Sequence, residues 1–274
     1  MLQVPMLPYE LIAIIVELAY ELHGTRTTET CTLVSSAWRS ASRRTIFRRV
    51  RVTSEERLNE LVILLSMDQT IPPLVRSLVF REDFCGPEST HGWVNELPRR
   101  LPEMLPNLVI IEFIGIRERF ATEGSFAPSL SCFQAFNSVQ SFVIRSCTVT
   151  PAILDSLTSH LPAVQALSIL CINMPRYPSS PTQSSSLRGP SLRSLELDVG
   201  HIFSSALRHI LSWVLSTPSR TTLRSLTLTL RTSDAEAAGR FLQEVGPQLE
   251  ELELRFEEYL GLPLETESKH SCLC

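Results

Sequence analysis

Six arginines lie close together near the start of the sequence, and their side chains could bind phosphate or an acidic protein surface. They are Arg39, Arg43, Arg44, Arg48, Arg49 and Arg51. No ladder of aromatic residues interleaves the cluster for base stacking, and the 274-residue chain is acidic overall, with 25 Lys and Arg against 29 Asp and Glu. The sequence therefore predicts no nucleic-acid binding and favours the solvated side of a helix, on which arginine stems cover apolar surface.

The final residues of the sequence include types that ligate metals. His270, Cys272 and Cys274 could supply three ligands, and the terminal Cys-x-Cys also resembles some prenylated tails. A metal site needs a fourth ligand and an ordered scaffold, which a short polar tail does not supply. His201 and His209 are eight positions apart, too far for an i, i+4 metal pair on a helix. We therefore expect a reduced tail, no metal and no cofactor.

No familiar catalytic motif occurs in the chain. The sequence has no Gly-x-Ser-x-Gly elbow, no glycine-rich phosphate loop ending in Lys-Ser/Thr, no His-Glu-x-x-His and no Cys-x-x-Cys. We therefore predict that the protein is not an enzyme. An enzyme with an unfamiliar site stays a further alternative to the two hypotheses given at the end of this section, and it would need a pocket with converging polar groups.

Cysteine usage and hydropathy indicate an intracellular compartment, the cytoplasm or the nucleus. The seven cysteines are scattered and odd in number, and no Asn-x-Ser/Thr glycosylation site occurs. Pro5, Pro8 and Glu10 interrupt the apolar start that a signal peptide would need. No apolar run approaches the roughly 20 residues that span a bilayer, so we expect no membrane association.

The stretch from Leu7 to Val52 predicts a small helical module. Its apolar residues recur at the three-and-four spacing of one helix face, at Leu7, Leu11, Ile14, Ile15, Leu18 and Leu22, and again at Leu33, Val34, Ala37, Trp38 and Ala41. Ile46 and Phe47 extend the second set. A unit of 46 residues cannot bury so much apolar surface by itself, so a patch remains for a partner's helices.

Three spaced elements of this stretch are Leu7-Pro8-x-Glu10-Leu11, Cys31-x-Leu33-Val34-Ser35-x-x-Trp38-Arg39 and Phe47-Arg48-x-Val50. Together they resemble the F-box, in the form common in large fungal families of F-box-like proteins. The resemblance covers about the first fifth of the chain. It departs from the family at Thr28, three positions before the cysteine, where an apolar residue is usual.

The resemblance implies a partner. An F-box docks on the Skp-type adaptor subunit of a cullin ubiquitin ligase. The residues that would contact the adaptor here are Leu7, Pro8, Leu11, Ile14, Ile15, Leu33, Val34, Trp38 and Phe47.

A second pattern, an apolar phrase of three anchors, recurs seven times after the module. The anchors are Val75, Leu78, Phe80; Leu108, Ile111, Phe113; Val139, Phe142, Ile144; Val164, Leu167, Ile169; Leu192, Leu195, Leu197; Leu223, Leu226, Leu228; and Leu249, Leu252, Leu254. Six intervals cover the 174 positions from Val75 to Leu249, a mean period of 29. That period is at the long end of the leucine-rich-repeat range of about 20 to 29 residues.

The predicted fold class is α/β. A helical F-box-like module at 5–52 and a connecting helix at 53–73 precede an irregular leucine-rich-repeat solenoid at 74–260, in which parallel strands alternate with helices. Helices are expected at 152–161, 204–215 and 234–245. A flexible Ser/Pro-rich loop is expected at 176–190 and a polar tail at 261–274. The Asn or Cys that the repeat pattern places after each strand appears only as Cys147, so the array is irregular.

Residues that alternate with the buried anchors are expected to face outward along the sheet and to bind a protein substrate. They are Val79, Arg81, Glu112, Val143, Arg145, Ser168, Glu196, Asp198, Thr227, Thr229, Glu253 and Arg255, with an acidic centre at Glu196 and Asp198. The leading hypothesis is therefore a substrate-recognition adaptor of a cullin ubiquitin ligase. The alternative is a repeat scaffold for protein interaction that never joins a ligase, with the module serving only as an N-terminal cap.

Overall fold

The computed structural model describes residues 7–81, 101–115, 133–147, 154, 160–161, 163–170, 189–198 and 204–256. All seven apolar phrases lie inside these ranges. The helix expected at 152–161 and the loop expected at 176–190 lie mostly outside the described residues, and the tail at 261–274 lies wholly outside them.

The described strands form one parallel sheet in which spatial order follows chain order. They are β1 Arg49–Val52, β2 Ser77–Arg81, β3 Ile110–Ile114, β4 Ser141–Arg145, β5 Ala166–Leu170, β6 Ser194–Asp198, β7 Ser225–Leu230 and β8 Glu251–Phe256. Each strand pairs with the next in the register that the sequence phrases predict, so that Leu78, Ile111 and Phe142 are aligned. Parallel strands in sequential order, joined by segments that include helices, are the arrangement of a leucine-rich-repeat-like solenoid, and the predicted α/β class is confirmed at that level.

Helices lie before the sheet and between its strands. Those in the described ranges are α1 Tyr9–His23, α2 Thr25–Cys31, α3 Ser36–Arg48, α4 Glu55–Met67, α5 Leu101–Met104, α6 Ser204–Ser216, α7 Ser219–Thr222 and α8 Ala235–Val245. Short 3₁₀ turns span Pro72–Leu74, Thr232–Asp234 and Gly246–Gln248. The predicted helices at 204–215 and 234–245 are therefore present as α6 and α8.

The sheet begins earlier than the sequence phrases indicated. Residues 49–52 were assigned to the helical module, but they form β1 and pair with β2 from Arg49 opposite Ser77 to Val52 opposite Phe80. Val50 and Val52 alternate with Arg49 and Arg51, which places the two valines on the core face of the sheet. The sheet thus has eight described strands, one more than the seven phrases.

α4 occupies only part of the segment 53–73 that is predicted as a connecting helix. Its N-cap is Ser54, whose hydroxyl accepts from the Arg57 backbone N–H at 3.2 Å. The helix ends at Met67, and Pro72 with Pro73 opens a separate 3₁₀ turn. Proline is favoured in a first turn because it lacks the N–H that such a turn leaves unpaired.

One continuous core lies along the inner face of the sheet. The second and third anchors of the first six phrases are fully buried, and α4, α6 and α8 add Leu58, Leu61, Leu65, Leu207, Ile210, Leu211, Val214, Ala238, Phe241 and Val245. Phenylalanines stack across its N-terminal part: the ring centroid of Phe113 lies 5.3 Å from that of Phe80, 5.5 Å from that of Phe142 and 6.0 Å from that of Phe133. The side chains at each anchor position of the repeat therefore form one buried row across the sheet.

The turn after β4 is closed by the cysteine at the expected repeat position. Ser146 has a positive φ of 53°, which turns the chain out of the strand. The buried Cys147 thiol then lies 3.2 Å from the Arg145 carbonyl oxygen and 3.6 Å from the Phe113 carbonyl oxygen, to which it can donate. The Arg145 carbonyl also accepts from the Gly115 backbone N–H at 2.9 Å, so the thiol is an additional, weak donor that joins the end of β4 to β3.

A buried serine ties β6 to the helix that precedes β7. The Ser219 hydroxyl donates to the Pro190 carbonyl at 2.6 Å and accepts from the Leu192 N–H at 3.0 Å, and Ser219 is fully buried. The Pro190 carbonyl and the Leu192 N–H lie before β6, outside its strand pairing, and the Ser219 hydroxyl is their hydrogen-bond partner.

We predict that Ser219→Ala lowers the free energy of unfolding by about 2 kcal/mol, because it leaves one donor and one acceptor buried and unpaired. Urea denaturation followed by circular dichroism measures this loss. The matched control is Ser216→Ala, since Ser216 is exposed and its hydroxyl donates only to the Trp213 carbonyl within α6. Equal stability of the two variants would contradict the bridging role of Ser219.

Candidate functional site

The first three helices have a small core of their own, separate from that of the sheet. Ile12 and Val16 of α1 and Ala41 of α3 are buried in it, with Cys31 and Trp38 packed beside them. Gly24, at a φ of 73°, turns the chain between α1 and α2. Ile12 and Val16 are not part of the apolar stripe that helical spacing predicts for this segment.

Eight aliphatic residues on and beside these helices are exposed, and we call them together the module apolar face. It consists of Leu7, Leu11, Ile14, Ile15, Leu18, Leu22, Leu33 and Val34. Leu11 is 46% exposed and Leu33 is 80% exposed. Six of the nine residues predicted to contact an adaptor belong to this face, and Pro8 beside it is also exposed.

The other two predicted contact residues are placed differently. Trp38 is half-buried and packs against the core of the first three helices. Phe47 is half-buried and packs against the core of the sheet, because α3 leads directly into β1. Their main contacts are therefore internal, and substitution of either residue would disturb packing as well as any surface.

The residue at which the chain departs from the F-box pattern is fully buried. Thr28 lies in α2, and its hydroxyl donates to the Gly24 carbonyl at 3.3 Å. A threonine is tolerated at this apolar position because its hydroxyl is satisfied within its own helix.

Three of the six clustered arginines pair with carboxylates of this chain. Arg43 pairs with Asp68 at 2.5 Å, Arg48 with Glu17 at 2.6 Å and Arg49 with Glu112 at 2.5 Å. The first pair connects α3 to the turn after α4, the second connects α3 to α1, and the third connects β1 to β3. These three arginines thus hold elements of the fold together.

Asp68 joins α3 to the turn that follows α4, and its ionisation should affect stability. Hydrogen bonds from the Thr70 hydroxyl and backbone N–H, and then from Arg43, lower the pKa of Asp68 to about 2. Because this pKa lies below the ordinary value of 3.8, ionised Asp68 stabilises the fold above about pH 4, and the contribution is lost as the pH falls through about 2.

We predict that Asp68→Asn is less stable than the wild type at pH 7 and that the difference shrinks between pH 4 and pH 2. Urea denaturation of both proteins across this range measures it. Glu60→Gln is the control, because Glu60 pairs only with Arg57 on the exposed side of α4. A difference that stays constant down to pH 2 would contradict the assignment.

The outer face of the sheet, which we call the sheet face, is polar along most of its length. Arg145, Glu253 and Arg255 are exposed, and residues of intermediate exposure between and beside them are Arg81, Val143, Ser168, Glu196, Asp198, Thr227 and Thr229. The register aligns Ser168, Glu196, Thr227 and Glu253 in one row. These residues lie on the outer face of the sheet, and their binding of a substrate stays a prediction.

Two residues expected on the sheet face are buried instead, namely Val79 and Glu112. Arg49 of β1 reaches Glu112 of β3, so its side chain must cross β2, which carries Val79. Arg145 approaches Glu112 from the other side at 3.5 Å, and the Glu112 side chain is only 7% exposed. Glu112 is therefore an internal counter-ion for two arginines, and it is not an open contact residue.

The predicted acidic centre is partly neutralised by an arginine of the last strand. Arg255 of β8 lies 2.9 Å from Glu253 and 3.9 Å from Glu196 of β6, so it extends across β7. The hydrogen bond from Arg255 lowers the pKa of Glu253. The same hydrogen bond raises the pKa of Arg255, and the negative charges of Glu253, Glu196 and Asp198 add to this increase. The C-terminal half of the sheet face thus has alternating charges.

Within the part of the chain that the structure describes, no group of three His, Cys, Asp or Glu side chains is placed to hold a metal ion. In the same part, no helix has the length and apolar character needed to cross a bilayer. His209 is exposed on α6, and His201 lies outside the described residues. The possible metal ligands His270, Cys272 and Cys274 also lie outside them.

Comparison with known proteins gives little further information. No protein-family model matches the sequence, and no curated protein matches it. Nineteen chains of solved structures match. One is the crystal structure of an internalin (inlF) from Listeria monocytogenes str. 4b F2365, which is 14% identical with a TM-score of 0.27. The match covers 68% of this chain and spans 64% of the length of the internalin chain. A TM-score this low supports no argument, so the repeat-like fold rests on the strand order and register of the chain itself.

Proposed function

We propose that this protein is a non-catalytic adaptor that binds two proteins with two surfaces. The module apolar face would dock on the Skp-type adaptor of a cullin ubiquitin ligase, and the sheet face would hold a protein substrate for ubiquitin transfer by other subunits. The protein would act in the cytoplasm or the nucleus. The observation on which the proposal rests is the exposure of eight apolar side chains on one small helical module.

That exposure favours a protein partner. Single exposed apolar residues are ordinary on protein surfaces, but a contiguous group on neighbouring elements marks an interaction site. Five of the eight residues lie at helical spacing on α1, and Leu33 with Val34 follows α2 directly. An apolar helix face of this kind is suited to packing against helices of a partner.

One observation counts against the alternative in which the module only caps the repeats. The N-terminal end of the sheet core is covered by Phe47, Val50 and Val52, together with leucines of α4. The buried residues of α1 pack into the separate small core and do not extend the core of the sheet. Capping therefore does not require α1 or α2, and their exposed face is available for another role.

The sheet face is the proposed substrate site because it is long, polar and mixed in charge. Its acidic residues Glu196 and Glu253 and the exposed Arg145 and Arg255 offer both signs to a partner. Alternating charge gives specificity and orientation more than raw affinity. The protein has no proposed catalytic residue, so selection of the substrate is its proposed contribution.

Titration of the purified full-length chain with the Skp-type adaptor by calorimetry tests the proposal. We expect one-to-one binding. A variant carrying Glu196→Lys and Asp198→Lys should bind the adaptor as the wild type does, because both substitutions lie on the sheet face. If the folded wild type does not bind the adaptor at all, the scaffold alternative becomes the better account.

A further inference from the structure

β8 is the last strand that the structure describes, and no described strand pairs with it on the side away from β7. All six of its residues are exposed, and they include Leu252, Leu254 and Phe256, whose counterparts in the preceding strands are buried. Phe256 is 66% exposed. An edge strand with exposed apolar side chains is a template for pairing with another strand.

The backbone of β8 shows which groups are directed to this edge. The Glu251 N–H donates at 3.0 Å to the carbonyl of Arg224, the residue just before β7. The backbone N–H and C=O groups of Glu251 are therefore directed toward β7. Alternate residues of a strand direct their N–H and C=O groups to the same side. The backbone groups of Glu253 and Arg255 are therefore also directed toward β7. Those of Leu252, Leu254 and Phe256 are directed toward the open edge.

We propose that β8 binds the β8 strand of a second copy of this protein, antiparallel, with Leu254 on the two-fold axis. In this register Leu254 faces Leu254 of the second copy, and Leu252 faces Phe256. The backbone groups of these residues are directed to the open edge. The Leu254–Leu254 pair and each Leu252–Phe256 pair can therefore exchange two backbone hydrogen bonds. The two eight-stranded sheets would join into one, through a self-complementary contact of the kind that a two-fold axis requires.

Charge favours this register over the two registers in which the two-fold axis is shifted by one residue. Glu253 faces Arg255 of the second copy, and Arg255 faces Glu253, at the non-hydrogen-bonded positions where side chains are closest. Within each copy Arg255 already contacts Glu253 at 2.9 Å, so the four groups form a square of alternating sign. A shift of the axis to Glu253 would oppose two glutamates, and a shift to Arg255 would oppose two arginines.

The apolar residues favour the same arrangement. Leu252, Leu254 and Phe256 lie on the inner face of the sheet, in the rows that are buried in the earlier strands. In the dimer, Leu252 packs beside Phe256 of the second copy on that face, which removes apolar surface from water on both sides of the axis. The inference is independent of the proposed adaptor role, because the module apolar face lies on the helices that precede β1.

Sedimentation equilibrium of the full-length protein over a range of concentrations tests the proposal. The wild type should form a concentration-dependent dimer. Glu253→Arg puts four positive charges in the square, and Arg255→Glu puts four negative charges there, so each single variant should raise the dimer dissociation constant by about tenfold or more.

The double variant Glu253→Arg/Arg255→Glu restores the alternating square and should return the dissociation constant to within about threefold of the wild type. A general folding defect would not be repaired in this way. Met67→Lys, at an 81% exposed position on α4, is the control that should dimerise normally. A wild type that stays monomeric, or a double variant no better than the single ones, would overturn the proposal and leave the adaptor titration unaffected.

Discussion

Phe113→Ala is expected to lower the free energy of unfolding by about 3 to 5 kcal/mol. Phe113 is fully buried in β3, and its ring contacts Phe80 and Phe142 of the two neighbouring strands as well as Phe133. Removal of the ring costs its burial and leaves a cavity among three other rings, which cannot all collapse into the space. Urea denaturation monitored by circular dichroism measures the loss.

Ile63→Ala is the matched control for this prediction. Ile63 is a large apolar residue that is exposed on α4, so its truncation should change stability by no more than about 0.5 kcal/mol. If Phe113→Ala lost less than 1 kcal/mol, or no more than Ile63→Ala, the continuous core described above would be contradicted.

Leu11→Lys should abolish most binding to the Skp-type adaptor while the protein stays folded. An apolar anchor at the centre of an interface contributes about 2 kcal/mol or more when truncated, and a buried unpaired ammonium adds to that cost. We therefore expect affinity to fall more than about 100-fold. In the free protein, Leu11 is half exposed, so its replacement should change stability little.

This variant is a sharper test than Trp38→Ala, because Trp38 packs inside the first three helices and its loss would also disturb their fold. Met67→Lys provides the control, since it adds the same charge at an exposed apolar position outside the module apolar face. Equal affinities of the wild type and of Leu11→Lys would remove the module apolar face from the docking site.

The strands of the repeat region could be predicted from the sequence, but their number could not. Each phrase repeats its apolar anchors at fixed spacing, and the alternation of Leu226 and Leu228 with threonines already assigns the two faces of β7. β1 has only Val50 and Val52, follows α3 without a break and lacks the first anchor of a phrase. Only its pairing with β2 distinguishes it from the end of a helix.

The buried face of α1 could not be decided from periodicity. Residues 11–16 are all apolar, so helical spacing selects several faces equally well. The structure buries Ile12 and Val16, and the stripe that the sequence emphasised is exposed. Which face packs inside depends on where α3 lies, and this information is not local to the helix.

The sheet face shows the same limit for charged residues. Strand alternation correctly directs Glu112 to the outer face, but its burial depends on Arg49, 63 positions earlier, and on Arg145 of the next strand. A signal was present, because Arg49 and Arg51 alternate with Val50 and Val52 as strand residues do. The contact across β2 could be found only in three dimensions.

Hydrogen exchange of the backbone amides, with and without a saturating amount of the Skp-type adaptor, tests the central claim most directly. The account predicts slower exchange in α1 and in the segment around Leu33 and Val34, with no change in β5 to β8. Unchanged exchange in the first three helices, or protection confined to the sheet, would contradict the claim that the module apolar face is the docking surface.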